Sequence, residues 1–81
     1  MNGNRESKKP KICKYLGLEV GERFRIPIEE NSLSIDENGF VVFVDGIPDG
    51  IDQNFADYIL SLYALKIVFN PNIIIRCTEE E

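Results

Sequence analysis

Two short segments that read as strands meet at Asp36-Glu37-Asn38-Gly39, and this junction constrains the fold more than any other stretch of the chain. Leu33 and Ile35 alternate with Ser32 and Ser34 before it, and Phe40-Val41-Val42-Phe43-Val44 follows it. Alternation with a period of two marks a half-buried strand. Aspartate at the first turn position and glycine at the fourth suit a type I turn closed by a left-handed glycine bulge. The sequence therefore predicts a β-hairpin over 32–44. Its second strand is β-branched and apolar on both faces, which predicts a strand inside the sheet or covered on both sides.

The flanking segments supply the other elements. Pro10 suits the first turn of a short helix that brings Ile12, Cys13, Tyr15 and Leu16 to one side and stops at Gly17. Phe24, Ile26 and Ile28 alternate with Arg23, Arg25 and Pro27, predicting a strand with an edge at Pro27; Glu29-Glu30-Asn31 reads as a turn. After the loop Asp45–Gly50, with Asp52 or Asn54 as N-cap, a helix is predicted over about 54–65. Phe55, Tyr58, Ile59, Leu62 and Leu65 form its core face, widened by Ala56, Leu60 and Tyr63, and Asp57, Ser61 and Ala64 mark its water-facing stripe. Ile67-Val68-Phe69 and Ile73-Ile74-Ile75 read as β-prone runs about the turn Asn70-Pro71-Asn72.

The expected fold is a single α+β domain in the order α-β-β-β-α-β, an antiparallel sheet whose 32–44 hairpin is packed by the 54–65 helix. Residues 1–8 read as a disordered basic segment, 9–78 as the domain and 79–81 as an acidic tail. The predicted core is Phe24, Ile26, Ile35, Val42, Val44, Phe55, Ile59, Leu62 and Ile74. A chain of 81 residues makes one domain with a thin margin of stability, so self-association is a natural support.

Charge and composition narrow the function. Residues 1–18 carry five basic residues against Glu6 alone, whereas residues 19–81 carry four against thirteen acids. An acidic body repels phosphate backbones, so nucleic acid is not the expected partner of the folded part. The longest apolar run, Phe40 to Val44, is five residues, where a membrane span needs about 20. Without a secretory signal pattern, the expectation is a cytoplasmic protein with no membrane association and with Cys13 and Cys77 as reduced thiols.

No catalytic pattern emerges. Histidine is absent, which removes the commonest general acid–base and metal ligand. Asp45, Asp49 and Asp52 share a glycine-rich loop, but Ile47 and Ala56 fall where a calcium loop needs oxygen ligands, so they read as turn and cap residues. Gly17 and Gly21 match no phosphate-binding loop. The expectation is no enzyme, no catalytic residue, no metal and no cofactor. The over-wide apolar helix points instead to a protein partner or a homo-oligomer, with Leu60 and Tyr63 as the partner surface.

Leu16-Gly17-Leu18-Glu19-Val20-Gly21-Glu22-Arg23-Phe24-Arg25-Ile26, with the later Asp36-Glu37-Asn38-Gly39 turn, resembles a pattern in small uncharacterised proteins of Gram-positive phages, prophages and mobile elements. That pattern runs LGxxxGxxFxI, a hairpin with a Glu-Asn-Gly turn, a leucine-rich helix and a closing β segment, and here spans about residues 12–76. The resemblance implies an accessory or cargo protein of a mobile element and carries over no catalytic residue. The alternative reading is a nucleic-acid-associated regulator that uses the basic N-terminal segment.

Overall fold

The structure, a computed structural model, describes residues 9–77. The elements are α1 (Lys11–Leu16), β1 (Phe24–Ile26), β2 (Glu29–Ile35), β3 (Val41–Phe43), α2 (Gln53–Phe69), a 3₁₀ turn (Pro71–Ile73) and β4 (Ile75–Arg76). They form an α+β domain with an antiparallel four-stranded sheet in the order β3-β2-β1-β4, and the two helices contribute to one core on it. The proposed segments 1–8 and 79–81, and Thr78, lie outside the described residues.

The hairpin turn forms as its chemistry dictates. The Gly39 N–H donates to the Asp36 carbonyl, Asp36 Oδ1 accepts from the N–H groups of Asn38 and Phe40, and Gly39 takes φ +88°. This closure sets the register Ile35↔Val41, Ser34↔Val42 and Leu33↔Phe43. Leu33 and Ile35 face the core, so their partners Val41 and Phe43 face it too, and Val42 and Val44 are only half-buried. The expected core positions Val42 and Val44 are thus one residue out of phase. The strand is also three residues long and at the edge of the sheet rather than within it. A side chain at Gly39 would meet Pro10 and Ile12, so the hairpin turn seats directly on the start of α1.

β1 and β2 join through Pro27-Ile28, so Glu29 begins a strand instead of forming the expected turn. Pro27 sits in the connection, where no ladder N–H is needed, and β1 is central, between β2 and β4. The pairs Phe24↔Leu33 and Ile26↔Glu29 leave unequal lengths between them, a bulge that absorbs the extra residues of β2.

α2 begins where Asp52 Oδ1 accepts from the Phe55 N–H and runs to Phe69, four residues past the expected end. Ile67-Val68-Phe69 is therefore helix and not strand. Its β-branched preference yields to burial, because Ile67 extends the inward line Ala56, Leu60, Tyr63 to a fully buried position. Pro71 ends the helix by pushing Asn70 out of helical geometry, to φ −145°. Ile73 joins the 3₁₀ turn, and only Ile75-Arg76 pairs as a strand.

α1 is six residues long and cannot hold without tertiary contacts. Gly17 at φ +74° closes it, and the N–H groups of Gly17 and Leu18 both donate to the Cys13 carbonyl. Two contacts tie it to the far end of the chain: the Tyr15 hydroxyl donates to the Val68 carbonyl, and Arg76 donates to the Gly17 carbonyl at 2.6 Å and pairs with Glu22. Cys13 is fully buried and free, and Cys77 is exposed and free. Burial pushes the Cys13 thiol up; Lys9 pulls it down, and Glu19, Asp36 and Glu22 push it up further. We expect one fast-reacting thiol in the native protein and two in denaturant by thiol titration; two fast thiols in the native state would contradict the packing of α1.

Candidate interaction surface

α2 carries two apolar faces. The inward one is Ala56, Ile59, Leu60, Tyr63, Ala64 and Ile67, with Ala56, Tyr63 and Ile67 buried and the others packed against them. The outward one is Phe55, Tyr58, Leu62, Leu65 and Phe69, exposed by 48, 61, 38, 56 and 82%. The helix is therefore rotated from the expected orientation. Phe55 and Leu62 leave the predicted core, and Ala64, expected in water, joins it. The two alanines lie on the inward face with Tyr63 and Ile67, and both phenylalanines lie on the outward one.

The expected partner residues, Leu60 and Tyr63, are part of this inward face. Tyr63 is 5% exposed and its hydroxyl donates to Glu29 Oε1 at 2.6 Å. Leu60 is half-buried against the core. Leu60 also lines an apolar groove between α2 and β3, and the large exposed side chains lie on the other side of the helix.

Glu29 Oε2 also accepts from the backbone N–H and the side-chain amide of Asn31. Burial alone would push the Glu29 carboxyl up; the hydrogen bonds from Tyr63 and Asn31 outweigh it and hold the group below its usual range. Tyr63 is pushed up to about 12 by burial first, then by the hydrogen bond and the charge of Glu29. The pair pins α2 to the start of β2.

The exposed positions on α2 fall at spacings of three and four, the a and d positions of a heptad. Such a seam on one helix normally faces another helix. Grooves flank the helix on both sides, one along its length and one beside its C-terminal half. One, of about 960 Å³, lies between α2 and β3, with Phe40, Phe43 and Ile47 opposite Leu65, Val68 and Phe69. The other, of about 630 Å³, lies between Leu62, Leu65 and Phe69 of α2 and Pro27, Ile28 and Ile73. Phe40 and Ile28, 65 and 57% exposed, extend the apolar area beyond the helix.

Other candidate chemistry disperses. Asp52 caps α2, and Asp45 lies 3.7 Å from Arg23 on the surface. Among the described residues, no three acidic or cysteine side chains come together as a metal site would need, and no helix is long and apolar enough to cross a membrane. Of the aromatics near α2 and β3, Phe43 and Tyr63 are in the core, whereas Phe40 and Tyr58 are exposed. The seam was detectable in the sequence as a strict 3–4 repeat of large side chains beside a second repeat that contains alanines. Comparison with protein families, curated proteins and solved structures finds no match to the chain.

Proposed function

We propose that this chain is a protein-interaction module of the cytoplasm, an accessory protein of phage or mobile-element type, and that it binds through the outward face of α2. The observation that carries the reading is the seam Phe55, Tyr58, Leu62, Leu65, Phe69, five large apolar side chains at heptad spacing left open to water. An isolated exposed leucine needs no explanation, but a contiguous patch of this size does. Binding without catalysis also agrees with the absence of histidine. The LGxxxGxxFxI resemblance supports the mobile-element assignment and nothing finer.

The test compares the full chain with a Phe69→Glu variant as baits in extract of the native host, with captured proteins identified by mass spectrometry. Phe69 is the most exposed of the five, so the variant should fold normally. The expected result is a defined set of proteins held by the parent chain and lost from the variant. The regulator alternative makes a different prediction, read by fluorescence anisotropy with mixed DNA and RNA oligomers at about 150 mM salt. Sub-micromolar binding there, lost when residues 1–11 are removed, would replace the proposed reading.

A further inference from the structure

We infer that the occupant of the α2 seam is a second copy of this chain, docked with its α2 antiparallel to the first. The inference rests on the interaction reading above and names its partner. Three observations carry it.

The first is area. Taking aromatic side chains at about 150–250 Å², the five exposed seam residues offer on the order of 500 Å². Ile28 and Phe40 at the margins bring the surface close to the roughly 800 Å² that each partner gives to a standard interface.

The second is charge. The chain carries a net charge of −5, and most of its surface repels a second copy. α2 is nearly uncharged. Its seventeen residues contain one acid, Asp57, and one base, Lys66, and neither belongs to the seam. It is a long face along which two acidic bodies approach without repulsion. An acidic partner would find no cationic complement there, and a basic one no anionic complement.

The third is self-complementarity, which a two-fold interface requires. Antiparallel helices set an a position opposite a d position. In the register that sets Leu62 against Leu65 of the partner subunit, Leu65 meets Leu62 of the partner subunit. Tyr58 then meets Phe69 of the partner subunit and Phe69 meets Tyr58 of the partner subunit, so leucine layers lie inside and aromatic layers outside. Phe55 extends to the level of the partner's 3₁₀ turn. Each copy also offers both a projecting ridge and the two grooves beside it.

Sedimentation equilibrium of the full chain over a concentration series tests the inference without any substitution. A reversible dimer at micromolar concentration is expected; a monomer throughout the range, up to about 100 μM, overturns it. Leu62→Lys and Leu65→Glu then test the surface. Both sites are exposed in the single chain, and circular dichroism checks that each variant retains its fold. Each variant alone should weaken dimerisation by at least about 100-fold. Mixed, they should form a heterodimer, because the antiparallel register sets the new lysine against the new glutamate and restores a leucine layer. Dimerisation unchanged by either variant, or a mixture that stays monomeric, overturns the inference. A monomeric chain that still loses its captured proteins through Phe69→Glu would overturn the homodimer while leaving the interaction reading intact.

Discussion

Phe24→Ala should lower the unfolding free energy by about 3–5 kcal/mol, a large share of the stability of a domain of this size. Phe24 is fully buried on the central strand β1 and pairs with Leu33 on one side and Arg76 on the other. The cavity left by its ring would open at the junction of the sheet, with β4 attached to the same residue. Urea unfolding monitored by circular dichroism gives the measurement. A paired comparison sharpens it. Ile67→Ala should cost about 2–5 kcal/mol, because Ile67 is fully buried, whereas Leu62→Ala, on the outward face, should cost under about 1 kcal/mol in dilute solution. Equal costs at these two positions would contradict the orientation of α2.

At high pH the protein should lose about 2–3 kcal/mol between pH 10 and 12, and Tyr63→Phe should abolish that loss. In the unfolded chain the Tyr63 hydroxyl ionises near its ordinary value of about 10. In the fold, burial and the hydrogen bond to Glu29 push it up to about 12. Across that interval the unfolded state releases its proton first, so stability is complete below pH 10 and falls as pH rises toward the folded value. Glu29 gives the opposite dependence. Its carboxyl is held below the ordinary range by Tyr63 and Asn31, so its contribution is present at neutral pH and disappears as acid titrates the folded group. Thermal melts across pH for the parent, Tyr63→Phe and Glu29→Gln chains separate the two limbs.

The element order and the hairpin were legible in the sequence because they rest on local chemistry: Asp36 and Gly39 at the turn, Gly17 at a helix end, Asp52 at a helix start. The orientation of the elements was less so, for two different reasons. At β3 the information was present. The Asp36–Gly39 turn already pairs residue 35 with 41, so Ile35 in the core requires Val41 and Phe43 there, not Val42 and Val44. At α2 local pattern could not decide, because both faces have helical apolar spacing. The larger side chains suggested the core face, but the sheet accepted the face with Ala56 and Ala64, and Glu29 drew the Tyr63 hydroxyl inward. That pair links residues 34 apart, and no local reading shows it. The same inversion moved the candidate surface from Leu60 and Tyr63 to the seam from Phe55 to Phe69.

The ties between α1 and the C-terminal part of the chain set an order of assembly during synthesis. Tyr15 binds a carbonyl 53 residues later, and Arg76 reaches back 59 residues to the end of α1. A six-residue helix emerging from the ribosome has no stability of its own, and the groups that hold it are translated more than fifty residues later. The hairpin and β1 can pair early, since their contacts are near in sequence. α1 must wait, exposed with Cys13, until α2 and β4 have followed. The moment at which Cys13 becomes protected from a thiol reagent on a nascent chain therefore marks completion of the domain, and chains stalled before residue 68 should leave it reactive.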